Sequence, residues 1–192
     1  MVTLIVGLGN PGAEYAFHRH NIGFMAIDAL AYAYDSTFKR KDQALIADCQ
    51  IEGHKIILCK PLTYMNRSGN AVSALVSFYK WPLDQVLVIH DDLDLPFLTM
   101  RVKQGGGHGG HNGLKSLDAS IGKDYWRLRV GIDHPGVKEQ VTSHVLGEFS
   151  PKEKEALPII LREIISSVPL FIEGKKDLFQ QKISSARHTA KA

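Results

Sequence analysis

The sequence predicts an α/β protein, a single domain with three layers, α/β/α, around a mixed, mostly parallel central sheet. Three observations support this prediction. The chain has 192 residues, the length of one ordinary domain. Short apolar segments typical of strands alternate with segments of helical periodicity. Polar clusters directly follow several of the apolar segments, as at the ligand-binding edge of an open α/β sheet. We expect residues 1–192 to form this one domain, with the last few residues frayed.

Six segments are predicted to be strands because they are short, apolar and rich in β-branched or aromatic residues. The pair Glu52-Gly53 separates the second from the third and indicates a hairpin between them. The predicted strands are residues 2–6, 44–51, 54–60, 86–90, 98–103 and 126–132.

Five segments are predicted to be helices, namely residues 21–35, 68–79, 112–121, 151–171 and 175–187. Asn112 is expected to cap the third helix, since asparagine is a favoured N-cap residue. The run Ser150-Pro151-Lys152-Glu153 has the pattern of a capping box, with proline at the first helical position. Pro158 and Pro169 are expected to kink or shorten that helix. The last helix is basic and amphipathic.

Composition places the chain among ordinary globular proteins. Hydrophobic residues make up 44% of the chain, and no apolar run approaches the roughly 18 residues of a membrane span. The first residues lack the basic segment of a signal peptide. Cys49 and Cys59 lie in apolar strands, where reduced core cysteines are expected. These features predict a cytoplasmic protein. The net charge of +3 permits an RNA or phosphate partner without requiring one.

The most distinctive segment is residues 104–113, which contain six glycines, two histidines and an asparagine. A packed core has little use for residues without side chains, and ordering glycine costs more entropy than ordering other residues. Such a loop suits a close approach of backbone to a ligand, or a set of N–H groups around an anion. A helix N-terminus follows, which also favours negative charge. A flexible linker is the alternative, but linkers favour glycine with serine.

Three polar clusters follow predicted strands, at residues 7–12, 91–94 and 133–136. Because ligands bind outside the carboxyl ends of strands in open α/β sheets, the clusters together predict a cleft. His20 lies near this edge, and the unperturbed pKa of histidine suits a general base. Asp91 is the predicted carboxylate that orients and stabilises the His20 ring. The chemistry that this pair predicts is the activation of water.

Two other kinds of site remain open. The pattern Gly-x-Gly-x-x-Gly at residues 7–12 matches a dinucleotide fingerprint, but Pro11 removes a donor inside the turn. A metal-dependent hydrolase would use His90, Asp91 and Asp94, with the two histidines of the glycine loop as further potential ligands. No motif with zinc-site spacing supports that reading.

Basic residues alternate along two predicted strands. Arg101 and Lys103 share one face of the fifth strand, and Arg127 and Arg129 share one face of the sixth. Lys103 leads into the glycine loop and Arg129 precedes the third polar cluster, so both are predicted to meet phosphate at the cleft. Surface solubility better explains Arg101 and Arg127. A non-catalytic RNA-binding protein is therefore the other alternative; it would need neither histidine nor aspartate for chemistry.

Five motifs in series resemble bacterial peptidyl-tRNA hydrolases, in the same order and at compatible spacing. The resemblance spans nearly the whole chain, and the chain length also fits. The motifs are residues 6–12 (VGLGNPG) with Tyr15, 19–21 (RHN), 61–69 (PLTYMNRSG), 90–96 (HDDLDLP) and 105–115 (GGGHGGHNGLK).

The resemblance implies a monomeric α/β enzyme that hydrolyses the ester between a peptide and the terminal adenosine of tRNA, which recycles the tRNA. It implies no metal and no organic cofactor. His20 matches the catalytic base of the family and Asp91 its partner. Asn10, Asn66 and Asn112 match cleft asparagines that hold the peptide, the water and the developing oxyanion.

Further positions carry over from the same motifs. Tyr15 and Met65 match residues that line the cleft, and His111 matches another cleft position. The resemblance also implies that Lys103 and Arg129 clamp the 5′-phosphate of tRNA, with Lys138 against the acceptor stem.

The chain departs from the family pattern at two places. Asp133 stands where the family pattern has glycine, and its negative charge is expected to weaken phosphate binding near Arg129. Phe17 and His18 make the segment before Arg19 bulkier and more titratable than the pattern.

Overall fold

The computed structural model of the chain describes residues 2–186 and has a seven-stranded sheet at its centre. The strands are β1 (Thr3–Gly7), β2 (Lys39–Lys41), β3 (Ala44–Ile51), β4 (His54–Pro61), β5 (Val86–Asp92), β6 (Met100–Gln104) and β7 (Trp126–Gly131). The helices are α1 (Ile22–Ala33), α2 (Ser68–Tyr79), α3 (Asn112–Ile121), α4 (Val141–Val145), α5 (Pro151–Ile172) and α6 (Lys176–Ser185).

The strand order is β2-β3-β4-β1-β5-β7-β6. The four central strands β4, β1, β5 and β7 run parallel to one another, while β2, β3 and β6 pair antiparallel towards the two edges. This arrangement confirms the predicted mixed sheet. The parallel strands have nearly continuous apolar sequences because both of their faces are covered.

The two faces of the sheet carry separate sets of helices, which confirms the three layers. On β5, Leu87 and Ile89 pack with residues of α1, α5 and α6, whereas Val86 and Val88 pack with residues of α2 and α3. This division follows from the alternation of side chains along a strand. The carboxyl ends of the parallel strands therefore open between the two helical layers.

Helix α1 lies directly on the backbone of the two central strands. A Cβ atom at Gly23 would overlap the Leu8 nitrogen and the Ile89 carbonyl oxygen, and a Cβ atom at Gly7 would overlap the Gly23 carbonyl. Glycine at both positions therefore permits a helix-to-strand contact that no other residue would allow. This contact brings the N-terminus of α1, and His20 just before it, to the carboxyl end of β5.

Every predicted strand and helix has a counterpart in the structure, and two further elements, β2 and α4, were not predicted. Strand β2 has the sequence Lys-Arg-Lys and lies at an exposed edge, where charged residues are common. Helix α4 buries none of its five residues. Neither segment has the apolar periodicity on which the prediction depends. Helix α6 covers most of predicted residues 175–187, but Arg187 and the predicted frayed end lie outside the described residues.

Helix α5 begins with the predicted capping box. Ser150 Oγ accepts from the Glu153 N–H at 3.2 Å, and Glu153 Oε2 accepts from the Ser150 N–H at 2.6 Å. The expected shortening at Pro158 and Pro169 is wrong, since the helix continues through both. Each proline removes only one N–H donor, and the buried contacts of residues such as Ile164 hold the helix against the sheet.

Both cysteines are buried free thiols, as predicted. Burial raises the pKa of the Cys49 thiol to about 11, with the Asp48 charge contributing, and raises the pKa of the Cys59 thiol to about 12. Within residues 2–186, no helix combines the length and the apolar character needed to cross a membrane.

Candidate active site

A cleft of about 540 Å³ opens at the carboxyl ends of β5 and β7. His20 reaches it from a short 3-10 turn (Arg19–Asn21) before α1, and Asp91 from the end of β5. The glycine loop and residues of α4 form other walls. The predicted cleft residues His20, Asp91, His111, Asn112, Lys103, Arg129 and Lys138 all line this cavity.

His20 and Asp91 form the predicted pair. The Nδ1 atom of His20 lies 2.8 Å from Asp91 Oδ2, and both side chains are buried. Because a carboxylate accepts, Nδ1 carries the hydrogen and neutral His20 keeps a free electron pair on Nε2. No described residue is hydrogen-bonded to that Nε2 atom. The pair therefore has the geometry of a general base with its orienting carboxylate.

The ionisation of this pair is set by burial and by mutual attraction. Burial disfavours the charged form of His20, but the charge and hydrogen bond of Asp91 outweigh it, so the His20 pKa lies above 6.5. Burial likewise disfavours the Asp91 carboxylate, yet the charges of His20 and His111 and their hydrogen bonds hold its pKa well below its usual range. Asp91 is thus a stable anion beside a histidine.

His111 binds the other oxygen of Asp91, with Nε2 2.8 Å from Oδ1. Its Nδ1 accepts from the N–H groups of Gly113 and Leu114, at 3.1 and 3.3 Å. His111 is therefore the N-cap of α3, and the prediction that Asn112 is the cap is wrong. An imidazole nitrogen can accept these bonds as an asparagine oxygen would, and this role was not recognised from the sequence. Since Nδ1 accepts, the hydrogen of neutral His111 is on Nε2.

The three side chains His20, Asp91 and His111 place potential metal ligands within 4.8 Å of one another. The hydrogen bonds of His111 do not fit a ligand that binds metal through Nε2. A histidine that binds metal through Nε2 carries hydrogen on Nδ1 and donates it to an acceptor. The Nδ1 atom of His111 instead faces two N–H donors. This arrangement argues against the metal-dependent alternative.

The alternative metal set at the end of β5, His90, Asp91 and Asp94, is not brought together among the described residues. His90 is buried and donates from Nδ1 to the Asp91 carbonyl oxygen at 2.8 Å. Burial, with the adjacent His111, lowers the His90 pKa to about 3. Asp94 is exposed in the following turn.

Asn10 is buried and firmly held beside the turn that carries His20. Its Oδ1 accepts from the Met65 N–H at 2.8 Å, and its backbone N–H donates to Asn21 Oδ1 at 2.9 Å. Asn21 Nδ2 returns a hydrogen bond to the Asn10 carbonyl. The oxygen of the Asn10 side chain is thus occupied, which leaves its NH₂ group as the available donor. Asn21 is a positioning residue that sequence reasoning missed.

Asn10 lines a separate cavity together with Asn21 and Phe24. The other predicted substrate residues outside the cleft lining are Tyr15, Met65 and Asn66. Met65 is buried and packs against Gly113, where a Cβ would lie 2.6 Å from its sulfur. Asn66 follows it in an exposed turn. The Tyr15 ring makes an edge contact with Tyr64, with centroids 6.3 Å apart.

Basic side chains form the far wall of the cleft. Arg129 Nε lies 2.7 Å from Asp92 Oδ2. Burial lowers the Lys103 pKa, and the nearby Arg129 and Arg127 charges lower it further. Lys138 is exposed at the rim. The three basic side chains of this wall lie together, although the net charge of the whole chain is only +3.

Arg127 is fully buried, so the prediction that it serves surface solubility is wrong. Its guanidinium lies 4.7 Å from the centroid of Tyr125 and bonds Asp118 in α3 and the glycine loop. The burial of Arg127 could have been inferred from the predicted topology, because helices cover both faces of the sheet and side chains on either face of an inner strand are then buried. Arg101, on the edge strand β6, is exposed as expected. The glycine loop is therefore anchored, unlike a flexible linker.

Asp133 stands at a backbone position that favours glycine, since its φ is +63°. Its Oδ1 accepts from the Phe97 N–H at 3.0 Å. Aspartate tolerates this conformation better than most residues, and the side chain stabilises the turn locally. His18, the other departure, makes an edge contact with Tyr15, with centroids 5.3 Å apart.

A mixed α/β sheet with a held histidine–aspartate pair at its carboxyl edge is typical of a hydrolytic enzyme that activates water. The family model described as peptidyl-tRNA hydrolase matches residues 4–191. A peptidyl-tRNA hydrolase from Rhodospirillum centenum is 50% identical over 184 residues, which cover 95% of this chain and 81% of the relative. A peptidyl-tRNA hydrolase from Beijerinckia indica is 49% identical over 190 residues, which cover 98% of this chain and 96% of the relative.

Solved structures agree with the sequence comparison. The crystal structure of peptidyl-tRNA hydrolase from Acinetobacter baumannii superposes with a TM-score of 0.93 at 42% identity, and the match covers 96% of this chain and 95% of that one. The chain belongs to the peptidyl-tRNA hydrolase family.

Proposed function

We propose that this chain hydrolyses the ester bond between peptide and tRNA in peptidyl-tRNA, as a cytoplasmic monomer without a cofactor, and so recycles tRNA. The observation that carries the proposal is the Nε2 atom of His20, to which no described residue is hydrogen-bonded, on a ring whose Nδ1 is held by Asp91 at 2.8 Å inside the cleft. Membership of the family supports the same reaction.

In this mechanism His20 takes a proton from a water molecule that attacks the ester carbonyl. Asp91 fixes the ring and stabilises the imidazolium that forms. The donor to the developing oxyanion is the side-chain NH₂ of Asn10 or of Asn112. The side-chain oxygen of Asn10 is held by the Met65 N–H and its backbone by Asn21, while Asn112 lines the cleft. One such donor typically lowers the barrier by about 2.7–4 kcal/mol. The histidine then returns its proton to the departing ribose oxygen.

The other predicted residues bind the two parts of the substrate. In this proposal Asn66 and Asn112, both exposed, bond the peptide and the water. Tyr15, Met65 and His111 shape the surroundings of the ester. Lys103, Arg129 and Lys138 bind tRNA phosphates, since positive side chains on one wall suit a polyanion.

The test follows release of tRNA from an N-acetyl-aminoacyl-tRNA in excess EDTA. Wild-type protein should turn over, and His20→Ala should lose about 10²–10⁴-fold in kcat, the usual contribution of a general base. His54→Ala, in the β3–β4 hairpin, is the matched control and should keep wild-type turnover.

Each other outcome has a definite meaning. Near-normal turnover by folded His20→Ala would contradict the assignment of the base. Loss of wild-type turnover in EDTA that returns on metal addition would establish a metal-dependent hydrolase. Tight tRNA binding without any turnover would favour the RNA-binding alternative.

A further inference from the structure

His90 lies where one side of β5 loses its neighbouring strand. The pairing of β1 with β5 ends with Gly7 opposite Ile89, and the Leu8 N–H donates to the Ile89 carbonyl at 3.1 Å. Alternate residues of a strand direct their carbonyls to the same side, so the next carbonyl on this side is that of Asp91. His90 Nδ1 donates to it at 2.8 Å. A side chain thus takes the place of the strand at the residue that carries the carboxylate.

The surroundings of the His90 ring keep it neutral. The ring is buried, and its Nε2 atom has no hydrogen-bond partner among residues 2–186. Protonation would place a second N–H at this atom without an acceptor, in addition to the cost of burying a charge. Burial, with the nearby His111, lowers the His90 pKa to about 3 against the attraction of Asp91 and Asp92. Arg129, opposite His90 on β7, is paired with Asp92. His90 is therefore an uncharged donor over the pH range in which a general base works.

His90 also contacts the second histidine bound to Asp91. The ring centroids of His90 and His111 lie 5.2 Å apart in an edge contact, and those of His111 and His20 lie 4.8 Å apart. Three imidazoles thus surround one aspartate. His20 and His111 bond its carboxylate, while His90 bonds its backbone. Asp91 is therefore held at both ends.

We propose that His90 is a positioning residue for the reaction, whose Nδ1–H fixes the Asp91 peptide group and so aims the Asp91 carboxylate at His20. The inference rests on the proposed function, because it takes His20 as the base. Tilting of this peptide group would carry the Asp91 side chain with it and lengthen the 2.8 Å contact with His20 Nδ1. A misplacement of about 1 Å can cost about 10²-fold in rate. His90 acts through Asp91 and contacts neither ester nor water.

Two substitutions separate the donor of His90 from its ring. His90→Asn keeps an N–H donor attached to Cγ, as Nδ1 is, but loses the ring contact with His111. His90→Phe keeps a ring and has no donor. With N-acetyl-aminoacyl-tRNA at about pH 8, His90→Phe should lower kcat on the order of tenfold and change KM less than about twofold, since a general base as a whole contributes about 10²–10⁴-fold.

The matched variants should lose much less. His90→Asn should keep kcat within about threefold of the wild type, because its amide replaces the donor. His54→Phe makes the same change in the β3–β4 hairpin, away from the cleft, and should behave as the wild type.

NMR titration of the His20 ring tests the positioning without turnover. His20 faces Asp91 and His111, and the Asp91 charge and hydrogen bond hold its pKa above 6.5 against burial. When the carboxylate no longer points at Nδ1, burial dominates, so the His20 pKa should be lower in His90→Phe than in the wild type. It should be unchanged in His90→Asn and His54→Phe. A general loss of stability would leave this pKa where it is.

A measurement on the wild type applies even where His90→Phe does not fold. In ¹⁵N spectra of the histidine rings, His90 should carry its hydrogen on Nδ1 and stay neutral while His20 titrates. Hydrogen on His90 Nε2, or protonation of His90 near the ordinary histidine pKa, would overturn the proposal. An equal kcat in His90→Asn and His90→Phe would also overturn it, as would an unchanged His20 pKa in folded His90→Phe.

The NMR result fails separately from the proposed hydrolysis. A His20 pKa that depends on the His90 donor, in a wild-type protein that releases no tRNA, would support the positioning and contradict the reaction. A wild-type protein that hydrolyses the ester, with the same kcat in His90→Phe, would do the reverse.

Discussion

The two carboxylate oxygens of Asp91 each bind one histidine, and the two histidines differ in how far other contacts fix which ring nitrogen carries the hydrogen. His111 must present an Nε2 hydrogen to Asp91, because its Nδ1 already accepts from the start of α3. Within residues 2–186 nothing is hydrogen-bonded to Nε2 of His20, so the contact of Nδ1 with Asp91 decides which of its nitrogens carries the hydrogen. The carboxylate therefore selects the form of His20 that can act as a base.

This arrangement predicts a strong effect of the isosteric change Asp91→Asn. The asparagine oxygen should accept from the fixed His111 Nε2–H, which turns the NH₂ group towards His20 Nδ1. His20 would then hold its hydrogen on Nε2 and lose its function as a base. We expect kcat to fall by about 10²-fold or more, since the corresponding change in a catalytic triad costs about 10⁴-fold. Steady-state hydrolysis of N-acetyl-aminoacyl-tRNA measures this.

In a plot of kcat/KM against pH, the decline on the acidic side should lie at lower pH in Asp91→Asn than in the wild type. His20 acts unprotonated, so the rate falls as pH drops through its pKa, which Asp91 holds above 6.5 in the wild type. Without the negative charge, burial dominates and lowers that pKa. Asp94→Asn, the same change three residues further on, should leave the pH of this decline unchanged. A decline at the wild-type pH in Asp91→Asn would contradict this account.

The sequence predicted the residues of the site better than it predicted their contacts. His20 and Asp91 were chosen because both lie beside polar clusters at strand ends, and the topology places such clusters on one edge. The capping role of His111 and the burial of Arg127 were missed. The cap depends on backbone groups that only the folded loop brings within reach. The burial of Arg127 follows from the place of β7 inside a sheet covered on both faces, which the predicted topology contained.

At the scale of elements, the start of α3 links helix stability to catalysis. His111 both caps the helix and binds Asp91. His111→Asn keeps a good capping residue but loses the contact with Asp91, while His111→Ala loses both. The two variants should have similarly reduced kcat, and His111→Ala should be less stable than His111→Asn by about 1 kcal/mol, the usual cost of losing a cap. Urea unfolding measures the difference.

An equal stability of the two His111 variants would show that the cap is unimportant. A normal kcat in His111→Asn would show that Asp91 keeps its orientation without His111.

The elements that the sequence predicted are those whose stability comes from an apolar face. Helices α1, α2, α3 and α5 pack on the central strands of the sheet. The apolar patterns of these helices and strands follow from that packing. Strand β2 is held by pairing to β3 at an edge, and α4 is a short, partly buried helix at the cleft. Such segments carry no apolar signal.

At the scale of the whole molecule, the fold brings distant parts of the chain to one edge. His20 and Asp91 are separated by 71 residues, and Asp91 and His111 by 20. Because parallel strands end at the same edge of the sheet, the sequence predicts that these residues lie at one edge. The 2.8 Å contacts depend on the close approach of α1 to the strands at Gly7 and Gly23. The edge was therefore predictable from the sequence, and the distances were not.

The two hydrogen bonds of Asp91 also bear on the course of the reaction. With both oxygens engaged by imidazole N–H groups, the carboxylate is poorly placed to attack an ester carbonyl. We therefore expect a single displacement by solvent, with no mixed anhydride and no peptide attached to the protein at any stage. Mass spectrometry of protein quenched during turnover should show only the unmodified chain, and a peptidyl adduct on Asp91 would contradict this. Peptide and tRNA would then separate in one event.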